Sequence, residues 1–339
     1  MKQIKTEDAV GMVLCHDLTE IIPGVSKGPA FRKGHIVQKE DIPHLLDMGK
    51  RSLYVWDLDD GYVHENDAAE RMARAVCGKN IKTGAPSEGK INLTAACDGI
   101  LKINREAVYA LCEDAEICLA TIRPDRLIRA GKQVAGTRVI PLAVKEETVK
   151  RFEDICAAAE QPIIDIVPLK PTKIGIVTTG SEIKSGRIKD SFGDVLRAKA
   201  AECGAEVVGQ VFPGDETEDI AAAIKDFLAQ GVDLVEVTGG MSVDPDDRTP
   251  LAIRRAAQPV SYGAPVLPGA MFMLAYAGDV PVVGLPGCVM YAKRTIFDLI
   301  VPRLMAGERI TREDIVKQAV GGMCEGCEVC TYPSCGFGG

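Results

Sequence analysis

Residues 236–250 read EVTGGMSVDPDDRTP and overlap the end of the apolar run DLVEVT (233–238). The run stops at Gly239 and Gly240. Three acidic residues follow within four positions: Asp244, Asp246 and Asp247. Glycines let backbone N–H groups approach an anion closely, and carboxylates beside an anion require a cation between them. The stretch therefore predicts a buried strand whose loop binds a polyanion through a divalent cation.

Apolar and helix-like runs alternate on both sides of this stretch. Four apolar runs are predicted strands: KIGIVT (173–178), AEVVGQV (205–211), DLVEVT (233–238) and PVVGLPG (281–287). The intervening runs begin at predicted helix caps: Asp190 or Ser191, Thr217 and Thr249. A last helix is predicted over 291–307. Continuously apolar strands separated by helices predict an α/β domain, with a mostly parallel sheet covered by helices on both faces.

A proline-containing segment predicts the main domain boundary. The segment IVPLKPTK (166–173) separates the α/β pattern from the preceding region. That region contains short apolar runs and glycine-containing turns, a pattern typical of a strand-rich α+β fold. The predicted parts are two α+β lobes at 1–79 and 80–168, the α/β domain at 172–308 and a cysteine-rich tail at 309–339.

Composition excludes several classes of protein. The chain has 40 basic and 48 acidic residues, a net charge of −8 and no block of Lys or Arg, which disfavours nucleic-acid binding. No apolar window is long enough to span a membrane, and the start MKQIKTEDAV lacks the apolar core of a signal peptide. We expect a cytoplasmic protein with no nucleic-acid or membrane partner, whose 12 cysteines are mostly reduced.

The loops after the four predicted strands share glycine, hydroxyl and acidic residues. In a parallel sheet such loops meet at the carboxyl ends of the strands, where α/β proteins bind ligands. They read TTGSE (178–182), PGDE (213–216), TGGMSVDPDD (238–247) and LPGCVM (285–290). Ordinary turns and helix caps favour the same residue types, and Asp246 is equally well interpreted as a cap. Four such loops at one edge favour a phosphate-binding site.

Several nucleotide-binding and hydrolase motifs are absent from the sequence. There is no G-x-x-x-x-G-K-[ST], residues 175–186 lack the dinucleotide glycine spacing, and no G-x-S-x-G elbow occurs. All four histidines lie at or before His64. Chemistry in the α/β domain must therefore use carboxylates, lysine, hydroxyls, thiols or a bound metal.

The order and spacing of TTGSE, GRIKDS (186–191), PGDE, TGGMSVDPDD and VVGLPG (282–287) resemble the molybdopterin-binding domain over about 172–308. That family includes molybdopterin adenylyltransferases, molybdotransferases and competence-damage-inducible proteins. The resemblance implies catalytic roles for Asp215 and Asp247 and Mg²⁺ binding by Asp244 and Asp247. The cofactor-binding residues that it implies are Thr179, Gly180, Ser181, Asp190, Gly239, Gly240, Met241, Ser242, Pro286 and Gly287.

The resemblance implies a protein of molybdenum cofactor biosynthesis that binds the phosphate of molybdopterin, with ATP or AMP and Mg²⁺. Its activity would be adenylylation or metal insertion, a transferase reaction, and its members associate as homo-oligomers, dimers or trimers. Two alternatives stay open: a non-catalytic carrier or sensor that passes the cofactor to a molybdoenzyme or another pathway protein, and a nucleotide pyrophosphatase. Ala270 and Cys288 stand where molybdotransferases carry basic or amide ligands, which favours the carrier.

The tail contains four cysteines in the spacing C-x2-C-x2-C-x4-C: Cys324, Cys327, Cys330 and Cys335. Four thiols within a short segment suit tetrahedral zinc or an Fe–S cluster. A flexible redox tail is an equal alternative. In either case we expect the tail to be poorly ordered without metal.

Overall fold

The computed structural model of the protein describes residues 2–22, 26–55, 61–242, 244 and 247–338. The chain forms two compact units, which alternate along the sequence before residue 166. The first comprises Met1–Ala96, Lys102–Ile122 and Ala130–Asp165, and the second Cys97–Leu101, Arg123–Arg129 and Ile166–Gly339. The described helices are all too short or too polar to cross a bilayer.

The first unit consists mainly of short antiparallel strands. Its strands are β1 (Lys2–Lys5), β2 (Leu18–Ile22), β3 (Ser26–Phe31), β4 (Ser52–Val55), β5 (Tyr62–His64), β6 (Ile81–Thr83), β7 (Lys90–Ala95), β9 (Ile117–Thr121), β11 (Gln133–Val139) and β12 (Ala143–Lys145). Its helices are α1 (Asp41–Asp47), α2 (Glu65–Val76), α3 (Arg105–Cys112) and α4 (Glu146–Ala158). This region is α+β, as the sequence predicts, while the division of 1–168 into two lobes stays a prediction.

The second unit contains the α/β domain. Strand β10 (Leu127–Ile128) lies within it, and β8 (Gly99–Ile103) and β13 (Ile164–Pro168) have residues in both units. Its other strands are β14 (Lys173–Thr178), β15 (Glu206–Val211), β16 (Leu234–Thr238), β17 (Gln258–Tyr262), β18 (Met273–Ala277) and β19 (Val280–Leu285). Its helices are α5 (Ser181–Lys184), α6 (Phe192–Glu202), α7 (Thr217–Ala229), α8 (Thr249–Ala256), α9 (Ile296–Met305) and α10 (Arg312–Lys317).

Within the described residues, the main sheet of this unit has the strand order β15-β14-β16-β19-β18-β17. The first four strands in that order are parallel, and β18 pairs antiparallel with both β19 and β17. In the central pairs Thr178 lies opposite Thr238, and Thr238 lies opposite Leu285. These three strands therefore end at the same level, which brings the loops that follow them to one edge of the sheet.

Both faces of the sheet are buried, as continuously apolar strands require. On one face Leu234 packs in a cluster that includes Leu196 of α6 and Ile300 of α9. On the other face Val235 packs in a cluster with Ile224 of α7 and residues of α8. The predicted mostly parallel α/β sheet with helices on both faces is confirmed, and β14 has the limits that the sequence predicts.

Three helix predictions are wrong in detail. Thr217 and Thr249 do not precede α7 and α8 as caps but are their first residues, after Glu216 and Arg248. The hydroxyl of Thr249 instead donates to the carbonyl oxygen of Gly239, at 2.7 Å. The helix predicted over 291–307 begins later, at a capping box between Thr295 and Asp298, and α10 follows it.

The antiparallel strands β18 and β17, of which β17 forms the edge of the sheet, were not predicted. Proline at position 259 interrupts β17, and the pairing register shifts there, which weakens the alternating pattern of a strand. The pair nevertheless extends the sheet beyond β19. It carries Tyr262 at its end, a residue that bears on the site described next.

Candidate functional site

The corner after β16 is formed by backbone that only glycine accommodates. Gly239 has a φ of +87°, and a Cβ at this position would lie 2.4 Å from the carbonyl oxygen of Thr179. Gly240 follows with a φ of +54°. The amide of Thr179 donates to the carbonyl oxygen of Thr238 at 2.8 Å, which holds the ends of β14 and β16 together. The two glycines thus allow the loops after these strands to touch.

The buried hydroxyls of Thr179 and Thr249 stabilise this corner. Thr249 donates to the carbonyl oxygen of Gly239, and the hydroxyls of Thr179 and Thr249 lie 3.3 Å apart. Thr179 is 3% exposed. Its hydroxyl, which the sequence suggests as a ligand donor, is therefore engaged in holding the corner.

Asp247 shapes the loop after the two glycines. Its Oδ2 accepts a hydrogen bond from the amide of Ser242 at 2.7 Å, and its own amide donates to the carbonyl oxygen of Asp244 at 2.9 Å. Its Oδ1 lies 3.6 Å from the position of a Cβ on Gly240. The predicted ligands Gly240, Ser242 and Asp247 are therefore neighbours, whereas Asp246 lies outside the described residues.

Asp215 connects the loops after β14 and β15. Its Oδ2 accepts from the amide of Ser181 at 2.8 Å. Ser181 follows Gly180, which has a φ of +136° and comes directly after Thr179. The loops after β14, β15 and β16 therefore form one continuous surface. We call Gly180, Ser181, Asp215, Gly239, Gly240, Ser242 and Asp247 the glycine–aspartate rim.

Asp190 lies beside the rim and caps α6. Its two carboxylate oxygens accept from the amides of Phe192 and Gly193, each at 2.9 Å. Gln210 of β15 donates to the same carboxylate at 2.7 Å and to the hydroxyl of Thr178 at 2.9 Å. Asp190 thus fixes the start of α6 relative to the ends of β14 and β15. Gln210 is a polar residue in an apolar strand, a signal that the sequence offers.

The remaining predicted ligands differ in their surroundings. Met241 is 4% exposed and would contact a Cβ on Gly284 at 2.6 Å, so its side chain packs in the core. Pro286 and Gly287 begin a short 3₁₀ turn after β19. Burial raises the pKa of the Cys288 thiol in that turn. The turn lies beside the rim, because Thr238 pairs with Leu285.

Tyr262 is a rim neighbour that sequence reasoning missed. Its hydroxyl lies 3.5 Å from the carbonyl oxygen of Ser242, and burial followed by the charge of Asp247 raises its pKa. The guanidinium of Arg254 lies 5.7 Å from the centre of its ring. The missed strand β17 brings this aromatic residue to the loop, where a flat ring would suit a planar ligand.

Glu236 is a second missed feature, in the strand that leads to the rim. Its side chain is fully buried, and neither carboxylate oxygen has a hydrogen-bond partner within the described residues. Burial raises its pKa to about 8, against a smaller opposing effect of the Lys199 charge. The presence of an acidic residue within the apolar run DLVEVT is the sequence signal that could have indicated this buried carboxyl group. Lys199 itself forms a buried ion pair with Asp298, at 2.9 Å to each oxygen.

The rim residues fit a phosphate with Mg²⁺. Backbone amides and Ser242 supply donors for a phosphate, and Asp215, Asp244 and Asp247 supply the oxygen ligands that Mg²⁺ prefers. As placed, no three His, Cys, Asp or Glu side chains among the described residues surround a common ion position. The magnesium and zinc predictions therefore stay predictions.

Gly239→Ala should destabilise the protein by about 2–4 kcal/mol, because it combines a positive φ with a clash against the carbonyl of Thr179. Gly231→Ala is the matched control: its φ is +74°, but nothing lies within 4 Å of the new methyl group. We expect the control to cost about 1 kcal/mol. Urea unfolding measures both, and equal losses would show that the close approach at Gly239 is unimportant.

Two segments of the chain match known families. Residues 175–306 match the family described as probable molybdopterin binding domain. Residues 3–57 match a domain of unknown function. The first match contains the complete glycine–aspartate rim.

Curated relatives match over short segments. A CinA-like protein of Mycolicibacterium vanbaalenii is 38% identical over 77 residues, which are 23% of this chain and 18% of the relative. A CinA-like protein of Mycobacterium sp. strain MCS is 35% identical over 83 residues, 24% of this chain and 20% of the relative. The chain thus spans about a fifth of the length of these relatives.

Solved structures resemble the chain at low identity. The molybdopterin biosynthesis enzyme MoaB of Thermus thermophilus is 22% identical with a TM-score of 0.36, covering 40% of this chain and 98% of that one. The molybdopterin biosynthesis MoeA protein of Pyrococcus horikoshii is 15% identical with a TM-score of 0.34, covering 90% and 74%. The match of residues 175–306 carries the assignment: this part of the chain belongs to the molybdopterin-binding domain family.

Proposed function

We propose that the protein acts in molybdenum cofactor biosynthesis and binds molybdopterin at the glycine–aspartate rim. The observation that carries the proposal is the pair of hydrogen bonds from Ser181 to Asp215 and from Ser242 to Asp247. The first joins the loops after β14 and β15 and the second closes the loop after β16, all at the carboxyl edge of a sheet in a domain of the molybdopterin-binding family. The phosphate would occupy the Gly239–Gly240 corner, and Tyr262 would lie at the edge of the pterin.

The electrostatics of the rim support a phosphate held with a cation. Helix α8 begins at Thr249 and α7 at Thr217, directly after the loops that carry Asp247 and Asp215, and helix N-termini favour anions. The two carboxylates alone would repel a phosphate. Mg²⁺ between carboxylate and phosphate oxygens removes that repulsion. The proposed reaction is transfer of the adenylyl group of ATP to molybdopterin, in which Asp215 and Asp247 position Mg²⁺ and the reacting groups.

Asp247→Asn separates binding from turnover. The amide oxygen of Asn can still accept from the Ser242 amide, so the loop and pterin affinity should be retained. The negative charge for Mg²⁺ is lost, and we expect the rate of AMP transfer or pyrophosphate release to fall by at least about 100-fold. The measurement is incubation with molybdopterin, ATP and Mg²⁺, alongside a fluorescence titration of pterin binding.

Asp279→Asn is the matched control for this experiment. Asp279 is fully exposed in the turn before β19, at the amino end of the strand and away from the rim. The control should keep the wild-type rate. An unchanged rate in Asp247→Asn would refute the catalytic role, and tight pterin binding without turnover in the wild type would identify a carrier.

The CinA-like relatives favour a second candidate, a nucleotide pyrophosphatase that uses the same rim. The supporting observation is their 35% identity over 83 residues. Release of AMP from ADP-ribose with Mg²⁺, lost in Asp247→Asn, would support this activity. Absence of release by the wild-type protein would exclude it. Association of the chain into a dimer or trimer stays a prediction.

A further inference from the structure

The four tail cysteines line one cavity of the second unit. The cavity has a volume of about 440 Å³, and Cys324, Cys327, Cys330 and Cys335 all contribute to its wall. Cys327 and Cys330 are exposed, and Cys324 and Cys335 are half-buried. The cavity lies apart from the glycine–aspartate rim, with none of the rim residues in its wall. A group bound in this cavity would therefore not share its lining residues with the proposed pterin site.

The tail is packed in place rather than loosely attached, which corrects the expectation of a poorly ordered segment. The amide of Cys324 donates to the carbonyl oxygen of Leu267 at 2.8 Å, and the Tyr332 hydroxyl donates to that of Asp298 at 2.9 Å. Phe337 is 4% exposed within the apolar cluster of α9. Sequence reasoning missed these contacts because they join residues far apart in the chain.

Basic side chains lie at the cavity, together with the acidic Glu325 and Glu328 in its wall. Lys293 and Arg294 line it. Arg126 is 9% exposed and donates through Nη1 to the carbonyl oxygen of Pro333, two residues before Cys335. Its Nη2 is buried and has no hydrogen-bond partner within the part of the chain that the structure describes. An unpartnered buried guanidinium nitrogen is costly, so its presence on an arginine that contacts the segment before Cys335 favours an anionic occupant.

We propose that Cys324, Cys327, Cys330 and Cys335 bind a [4Fe–4S] cluster in this cavity. In a structural zinc site each of the four thiolate sulfurs lies about 2.3 Å from the ion, so no larger group fits between the sulfurs. A volume of about 440 Å³ suits a larger, multi-atom group. In a [4Fe–4S] cluster each thiolate binds a different iron atom, so the cysteines lie around the group rather than converge on one point.

Charge and protons balance in this site. The oxidised cluster assembles from two ferrous ions, two ferric ions and four sulfides without loss or gain of electrons, and the four thiols release their protons when they bind iron. With four thiolates the cluster is negatively charged. Lys293 and Arg294 in the cavity wall, and Arg126, which contacts the segment that precedes Cys335, supply the opposing charge.

Anaerobic reconstitution of the full chain with ferrous and ferric iron in equal amounts and with sulfide tests the proposal. We expect about four irons and four sulfides per chain, broad absorption in the visible region and an electron paramagnetic resonance signal after reduction. One zinc per chain without iron, two irons per chain, or no metal on the folded protein would each overturn it.

Cysteine variants locate the site. Cys330→Ser should lose most of the iron while the fold is retained, because Cys330 is exposed. Cys112→Ser, an exposed cysteine of the first unit, is the matched control and should load like the wild type. Equal loading of Cys330→Ser and the wild type would place the iron elsewhere and refute the assignment.

Arg126 is tested through the reduction potential of the cluster. Arg126→Gln should make the midpoint potential more negative, because the reduced cluster loses a neighbouring positive charge. Arg126→Lys keeps the charge and should stay closer to the wild type. An unchanged potential in Arg126→Gln, with normal iron content, would contradict the role of Arg126.

Discussion

Lys199→Met is expected to lower the free energy of unfolding by about 3–5 kcal/mol, because it removes the ammonium from a buried ion pair and leaves the charge of Asp298 less compensated. The side chains of Lys199 and Asp298 are 7% and 5% exposed, and the ammonium lies 2.9 Å from both carboxylate oxygens. Asp298 also accepts from Arg294 at 2.8 Å, which places the expected loss toward the lower end of this range.

Urea unfolding at neutral pH measures this loss. Lys317→Met is the matched control, since Lys317 pairs with Glu313 at 2.8 Å on the surface and both side chains are well exposed. Exposed pairs contribute little, so the control should leave the unfolding midpoint unchanged. A loss in Lys199→Met as small as that of the control would show that the buried pair does not stabilise the domain.

Glu236 should make the stability of the protein fall as pH rises from about 4.5 to 8. Its pKa is raised from 4.5 to about 8 by burial, so the folded state holds a proton that the unfolded chain has released across this interval. The stabilising effect of that proton is complete below the unfolded-state pKa of 4.5. It is lost as the pH rises through the folded-state pKa of about 8. The expected slope approaches about 1.4 kcal/mol per pH unit.

Glu236→Gln removes this slope, because an amide does not titrate. Free energies of unfolding at pH 5.5, 7 and 8.5 should converge in the variant and diverge in the wild type. Glu206→Gln, an exposed acid at the start of β15, is the control and should keep the wild-type profile. The same pH dependence in Glu236→Gln and the wild type would contradict the raised pKa.

The stability loss in Lys199→Met and the pH dependence caused by Glu236 are coupled, because the Lys199 charge affects both. The Lys199 charge lowers the pKa of Glu236, so Lys199→Met should raise it further. The pH interval over which stability falls should then extend above 8. The double variant tests this coupling, since additive effects would show that the two side chains do not interact.

The sequence predicted those parts of the α/β domain that depend on local pattern. Continuous apolar runs predicted β14 and the strands that end at the rim, and the glycines after β16 predicted a corner that the structure shows at Gly239. The edge strand β17 escaped prediction because Pro259 breaks its alternation. The roles of turn and cap residues were predicted less reliably. Thr249, for example, stabilises the corner at Gly239 and does not cap α8.

Tertiary contacts account for what the sequence could not supply. The spacing of the tail cysteines indicated a metal site, yet nothing near them indicated Arg126, which approaches from a distant segment. Tyr262 reaches Ser242 only because β17 joins the sheet. Similarly, the acid at position 236 is visible in the sequence, but its lack of a partner depends on the packing of α6 and α9.

A mass spectrum of the native protein, purified without oxygen from cells that make molybdenum cofactor, tests the central claim most directly. We predict a bound species with the mass of molybdopterin, with or without an adenylyl group or metal, that is lost in Gly239→Ala but retained in Gly231→Ala. A folded protein that carries no pterin and takes none up when molybdopterin and Mg²⁺ are added would contradict the claim that the glycine–aspartate rim binds this cofactor.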